Sequence, residues 1–239
     1  MDLPADLAFR DRALLVDDAL VIADLHLGKG TSGGFELPVG DGADVLERFR
    51  DLLAAHEPAR VIIAGDLLHS FRTIPRTVED TLDGLRNTAA EADADLVVTP
   101  GNHDRMLDSV WDGPTPDVVR VGDTVVCHGH ELPDLGAAGV DREDVDRFVV
   151  AHDHPTIEIE GQRRPCYLLG RGIDPGDNGA RLDGPGDVDA PDLVMLPAFN
   201  RLLRGVAVND IEGGDLQSPL CRSADALAPV VRDEHRGET

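Results

Sequence analysis

An α/β fold with mainly parallel strands is what this sequence predicts, and three features carry the prediction. Short runs of Val, Ile, Leu and Ala recur along the 239 residues, and two of the stretches between them show apolar residues at helical spacing. Aromatic residues make up only 3% of the chain, so its core must be aliphatic, as in buried strands under helices. Asp, Asn and His gather just past the downstream ends of the runs, the edge at which open α/β sheets keep their chemistry.

The first two runs, 13–16 and 19–23, are separated by Asp17 and Asp18, a pair suited to a hairpin turn. The second leads into Asp24, Leu25 and His26, and a period of two puts the carboxylate and the imidazole on one face. Residues 28–42 are glycine-rich and read as a loop over the site, with Lys29 a candidate phosphate contact. A helix is expected over 44–55, where Val45, Leu46, Phe49, Leu52 and Leu53 share a face. Strand 60–64 then presents Gly65 and Asp66, and His69 follows one helical turn on as a candidate contact to substrate or to a ligand. A second helix, 77–92, precedes strand 95–98 and the segment TPGNHDR at 99–105. There Asn102 offers a neutral oxygen to a hard cation, and His103 a proton donor or acceptor near neutral pH. Asp104 adds a carboxylate able to orient that imidazole.

This alternation of strand and helix predicts parallel neighbours. Beyond it, 118–121 and 124–127 read as a hairpin around Gly122 and Asp123 that ends in His128, Gly129 and His130. After a polar connection at 141–147, strand 148–151 delivers His152, Asp153 and His154. Segments 156–159 and 166–169, on either side of Gly161, look antiparallel. From 170 to 192 the chain is Gly, Asp and Pro with few apolar residues, an exposed excursion. Residues 193–196 resume the sheet and 205–208 close it. One domain over 1–210 and a polar tail over 211–239, with a single helical turn at 223–228, is the simplest division.

Composition narrows the setting. Acidic residues outnumber basic ones 46 to 22, for a formal net charge of -24, and Lys29 is the only lysine. The excess is spread along the whole chain, as on a solvated surface adapted to high salt. Such a charge argues against a nucleic-acid-binding surface, although in molar salt the Debye length falls to about 3 Å and the argument loses force. Arg72, Arg76, Arg105, Arg163 and Arg164 are the residues from which a local basic rim could be built; each also suits a surface ion pair. Cys127, Cys166 and Cys221 have no metal-binding spacing and read as packed thiols. With no basic leader before an apolar core and no apolar run near ~20 residues, a cytoplasmic location is expected.

Asp24, His26, Asp66, Asn102, His128, His152 and His154 therefore all fall at predicted strand ends. A pair of divalent cations about 3.5–4 Å apart needs one bridging carboxylate and a few further oxygen and nitrogen ligands, which this set supplies. The segments DLH, GDLLH, GNHD, HGH and AHDHP resemble, in this order, the five motifs of the calcineurin-like metallophosphoesterase superfamily. The wording ADLHLGKG, GDLLHS, CHGHELPD, GQRRPCYLLG and LPAFNRLLRG is similar to its ICC-like, ligase-associated branch. The resemblance covers roughly residues 10–210. In the last motif Ala151 stands where the family usually has glycine, a change that removes no ligand.

The resemblance implies an αββα sandwich of two mixed sheets flanked by helices, with a dinuclear metal site at the carboxyl ends of the strands. It implies that Asp24, His26, Asp66 and His154 hold one metal, and that Asp66, Asn102, His128 and His152 hold the other. His130 is the alternative to His128 in the HGH segment, and otherwise a neighbour of ligands or substrate. His103, with Asp104 beside it, takes the catalytic place, and Arg105 joins Lys29 and His69 as a candidate substrate contact. The donor set suits Mn²⁺, with Fe or Zn²⁺ as alternatives. A water between two such cations loses its proton near neutral pH and attacks phosphorus in line, so the implied activity is phosphoester hydrolysis. The expected substrate is a phosphodiester, either nucleic acid or nucleotide, and partners in DNA repair follow from the resemblance alone. The alternatives are a phosphomonoesterase of a small metabolite and a non-catalytic scaffold of the same fold. A scaffold would ordinarily have lost His103 or some of the ligands. Asp153 reads as one more residue of an acidic surface.

Overall fold

The computed structural model of the chain describes residues 4–29, 41–69, 73–173, 191–209, 216–222 and 226–232. Strands β1 (Leu7–Arg10), β2 (Ala13–Val16) and β3 (Ala19–Ile22) form an antiparallel meander, and Asp17 takes a left-handed φ of 50° in the β2–β3 turn. Helix α1 (Asp41–His56) precedes β4 (Arg60–Ala64), and α2 (Arg76–Glu91) precedes β5 (Asp95–Thr99). Strands β3, β4 and β5 run parallel, with Ile22 opposite Ile63 and Ala64 opposite Thr99. Their carboxyl ends therefore share one edge.

The second half of the chain starts with the hairpin β6 (Val119–Val121) and β7 (Thr124–Val126), and β8 (Arg147–Val150) lies parallel to β7. Next come the hairpin β9 (Pro155–Ile159) and β10 (Gln162–Pro165), then β11 (Tyr167–Arg171) and β12 (Asp192–Met195). The two-residue β13 (Val206–Ala207), the one-turn helix α3 (Pro219–Arg222) and β14 (Ala226–Val230) follow. The second sheet has the order β14-β11-β12-β8-β7-β6, and a small third sheet the order β10-β9-β13.

Period-two alternation assigns each strand residue to a layer. In the first sheet Leu20, Ile22, Val61 and Ile63 pack outward against Val45 and Phe49 of α1 and Leu82 and Leu85 of α2. Their neighbours Val21, Ile62 and Ala64 face inward and meet Val126, Val149 and Val194 of the second sheet. Tyr167 pins the two sheets together: its hydroxyl donates to the Ala13 carbonyl at 2.8 Å, and its ring meets Phe9 edge-on at 4.7 Å. Truncating a side chain at the centre of this layer, such as Ile62, would cost about 2–5 kcal/mol.

The structure adds four details to the expected layering. Two long helices flank the first sheet, and among the described residues the outer face of the second is covered by Val140, Val145 and Leu216 and by Leu220 and Cys221 of the one-turn α3, because no long amphipathic run follows β7 or β12. The antiparallel partner of β9 is β10, whereas Tyr167–Arg171 pairs with β12 and β14. A helical turn lies at Pro219–Arg222; of the turn expected over 223–228, residues 223–225 lie outside the described residues and Ala226–Val230 is an edge strand, so the polar tail contributes to the second sheet. Leu7–Arg10 is a strand that alternation alone left too short to detect. Most of the glycine-rich loop 28–42 and of the excursion 170–192 lies outside the described residues.

All three cysteines are free and buried under the second sheet. Burial pushes the Cys127 and Cys166 thiols up to about 12, and Cys221 also well above its ordinary value. Thiolate is the reactive form, so the native protein at pH 8 is expected to resist a disulfide reagent such as DTNB and to release three equivalents only on unfolding in denaturant. Stoichiometric labelling under native conditions would contradict this packing.

Candidate functional site

Each candidate ligand follows the carboxyl end of a parallel strand. Asp24 and His26 follow β3, Asp66 follows β4, Asn102 and His103 follow β5, His128 follows β7, and His152 and His154 follow β8. The first two loops continue the strand pairing: Asp24 N–H donates to the Gly65 carbonyl (3.1 Å), His26 N–H to Asp66 (2.8 Å), and Leu27 N–H to Leu67 (2.9 Å). Asp24, His26, Asp66, His152 and His154 all have left-handed φ, at 53°, 39°, 47°, 79° and 48°. A non-glycine residue in that region costs of order 1 kcal/mol or more, and such strain concentrates at functional sites. Two glycines make the convergence possible. A Cβ on Gly65 would stand 2.1 Å from His128 Nδ1, and one on Gly101 would stand 2.1 Å from Asp66 Oδ1.

Two groups of donor atoms contain carboxylates, each group lying within 4.8 Å of itself: Asp24, His26, Asp66 and His154, and Asp66, His128 and His152; a third, His26, His69 and His103, is made of imidazoles alone. Asp66 belongs to both. Its Oδ2 is 3.3 Å from His26 Nε2 and its Oδ1 3.5 Å from His128 Nε2. His26 Nε2 and His154 Nε2 are 3.3 Å apart, and Asn102 Oδ1 is 3.3 Å from His128 Nε2. His128 Nδ1 donates to the Ala64 carbonyl at 3.1 Å. A carbonyl only accepts, so Nε2 carries the lone pair and turns it toward Asp66. Asp24 is fully buried, and its Oδ1 lies 3.2 Å from His154 Nε2 and 3.9 Å from His128 Nδ1. A buried carboxylate ringed by imidazole nitrogens fits a cation.

Electrostatics agree with that fit. Burial works against the charge of Asp24, but His154, His128 and His26 outweigh it and hold the carboxyl below its ordinary range. Burial and the neighbouring Asp24 push Asp66 up to about 8. Burial drives His26 down to about 3 and His128 to about 4, and it lowers His103 and His152 as well. For His154, burial is outweighed by contact with Asp24, and its value rises. Four imidazoles are thus neutral at physiological pH, the state a metal ligand requires.

The remaining candidates divide. His69 reaches the site, with Nδ1 3.4 Å from His26 Nδ1 and its ring stacked on His103 at 5.8 Å. His130 sits behind His128, its Nε2 3.8 Å from Glu131, and takes no part in either donor group; of the two HGH histidines, His128 is the one placed there. A cavity of about 380 Å³ opens over the cluster, walled by Lys29, Asp66, His69, Asn102 and His103 and by Leu203, Arg204, Gly205, Val206 and Gln217 from the C-terminal part of the chain. Arg105 is exposed and lies outside this wall.

Several positioning residues were not legible beforehand. Asp104, expected beside His103, is buried, and its two oxygens accept backbone N–H groups from Leu67 (3.2 Å), Leu68 (2.8 Å) and Gly101 (2.9 Å). It ties the GDLL loop to the GNHD loop. Asp153 is likewise buried and not on the surface; it accepts N–H groups from Gln217 (2.7 Å) and Ser218 (2.9 Å) and so docks the C-terminal segment beside His152 and His154. Asn200 donates to the Leu25 carbonyl at 2.8 Å, between Asp24 and His26. Arg48 holds the same segment through the Phe199 carbonyl (2.6 Å) and stacks over the Phe199 ring. Only the pairing of an amide or carboxylate with an Asp- or His-bearing motif hinted at these roles.

A carboxyl whose folded pKa exceeds its unfolded value of about 3.9 binds more protons folded than unfolded, so stability falls as pH rises between the two values. In EDTA the protein is therefore expected to lose stability relative to Asp66→Asn between pH 5 and pH 8, by at most about 1.4 kcal/mol per pH unit. Denaturant titrations at the two pH values measure the gap. Wild-type stability that stays level or rises relative to the variant as pH increases would contradict the proximity of Asp24 and Asp66.

Comparison with known proteins places the chain. Nuclease MPE of Pseudomonas putida is 23% identical, with a TM-score of 0.56 over 84% of this chain and 86% of its own. The phosphoesterase YfcE of E. coli is 15% identical, with a TM-score of 0.41 over 81% and 83%. No curated protein matches. The family model described as calcineurin-like phosphoesterase matches residues 19–185, most of the chain and all seven strand-end candidates. This chain therefore belongs to the calcineurin-like phosphoesterase family, whose members are metal-dependent hydrolases of phosphate esters.

Proposed function

We propose that this protein hydrolyses phosphodiesters of the nucleic-acid or nucleotide class. The observation that carries the reading is Asp66, a carboxylate common to both donor groups and so placed to be shared by two cations. Asp24, His26, Asp66 and His154 would hold one cation, and Asp66, Asn102, His128 and His152 the other. The donors are oxygen and imidazole nitrogen without thiolate, which suits Mn²⁺, with Fe or Zn²⁺ as alternatives. When bound, two such ions activate water and neutralise charge on a phosphoryl group.

The chain's own groups supply the rest. His103 is anchored by its backbone N–H, which donates to Asp66 Oδ1 at 2.9 Å, and its imidazole lies on the cavity wall. Burial lowers its pKa, so at neutral pH the ring is uncharged and has one N–H to donate. Facing a phosphoryl or leaving oxygen, that N–H stabilises the charge developing there. His69, stacked on it, restricts the ring's orientation. Asp104 acts at one remove, by fixing the loop that carries His103. The Pseudomonas putida neighbour is a nuclease, which makes nucleic acid the polymer to test first.

The experiment is hydrolysis of bis-p-nitrophenyl phosphate and p-nitrophenyl phosphate in molar KCl, with Mn²⁺ or EDTA, for wild type and His103→Ala. Diester turnover that needs Mn²⁺ and falls about 10²–10⁴-fold in the variant is expected. Turnover of the monoester alone would replace this reading with a phosphomonoesterase. Metal binding with no turnover of either substrate would point to a scaffold.

A further inference from the structure

Residues 200–206 form a short bridge between the two loops that carry the first and last candidate ligands. At one end Asn200 donates to the Leu25 carbonyl at 2.8 Å, between Asp24 and His26, and Leu203 N–H closes a turn onto the Asn200 carbonyl at 3.3 Å. At the other end Val206 N–H donates to the His154 carbonyl at 3.1 Å. Gly205 has φ 64°, and a Cβ there would stand 2.0 Å from His154 O, so the backbone presses directly on the ligand loop. The bridge is therefore held in register with the candidate metal groups at both ends.

Two arginines stand on it, and they differ. Arg201 turns to the protein, pairing with Asp44 at 3.2 Å and Asp11 at 3.3 Å. Arg204 lines the cavity, and among the described residues no carboxylate lies within ion-pair distance of it. The same holds for Lys29, which among the described residues is the other Lys or Arg of the cavity wall. In a chain of net charge -24, these two cations face the cavity beside a site for phosphate esters, where they attract an anionic ligand.

We propose that Arg204 is a specificity-determining residue that receives a second phosphate of the substrate, next to the one being cleaved. The proposal rests on the phosphodiesterase reading and narrows it to substrates carrying neighbouring phosphates, that is, to oligonucleotides. The scissile phosphate belongs over Asp66 and His103. Arg204, on the bridge, adds a planar fork of donors that matches two oxygens of one further phosphate.

The test compares kcat/KM for the dinucleotide TpT, which has one phosphate, with the trinucleotide TpTpT, which has two, in Mn²⁺ at several KCl concentrations. The proteins are wild type, Arg204→Gln and Arg204→Lys. Wild type is expected to favour TpTpT by about tenfold to a hundredfold, the worth of a charged hydrogen bond. Arg204→Gln should bring the two substrates to parity and flatten the salt dependence on TpTpT, while Arg204→Lys keeps part of the preference. Equal activity of wild type on both substrates, or an equal loss on both in Arg204→Gln, would overturn the role of Arg204 while leaving the phosphodiesterase reading in place. Absence of turnover on both by wild type would overturn that reading, and the proposal with it.

Discussion

Two carboxylates, Asp24 and Asp66, are held together in the interior of this protein, and the geometry around them is the constraint that the rest of the fold serves. Neither is neutralised by a lysine or arginine among the described residues; their neighbours are imidazoles, most of which burial keeps uncharged. Desolvating two like charges at short range is unfavourable, which is why Asp66 is pushed up to about 8 while Asp24 keeps its charge. Cations are the natural counterpart, since they turn mutual repulsion into shared attraction.

Such an arrangement persists because the surrounding backbone over-determines it. Parallel strands in both sheets bring their carboxyl ends together, the inter-sheet core fixes their separation, and glycines at 65 and 101 allow ring and carboxylate to approach without a Cβ between. Left-handed residues in the ligand loops then aim the side chains inward, and buried Asp104, Asp153 and Asn200 tie those loops to one another through backbone amides and carbonyls. Among the described residues Lys29 and Arg204 are the cations on the cavity wall of a chain with net charge -24.

Much of this was legible in the sequence, for identifiable reasons. Runs such as 60–64 and 95–98 are continuous aliphatic stretches, and the helical spacing of Val45, Phe49 and Leu52 or of Val78, Leu82 and Leu85 is unambiguous, so the first sheet and its helices follow from periodicity. The donor residues are visible because Asp, Asn and His interrupt those runs at their ends. Tertiary pairing was not legible. Arg163 and Arg164 belong to β10, a polar edge strand that no hydrophobic pattern marks, and Ala226–Val230 joins the second sheet although Pro229 interrupts it. The burial and backbone contacts of Asp104 and Asp153 were not legible for one physical reason: a carboxylate that accepts backbone N–H groups looks, in sequence, like any other acidic residue. The position of Arg204 at the cavity was not legible because it depends on Gly205 and Val206 meeting His154, a contact about fifty residues away in the chain.

The shared position of Asp66 is the centre of this account, and anomalous diffraction from crystals grown with Mn²⁺ tests it most directly. Two peaks about 3.5–4 Å apart, one on each side of the Asp66 carboxylate, are predicted. A single peak, or peaks out of reach of Asp66, would contradict it.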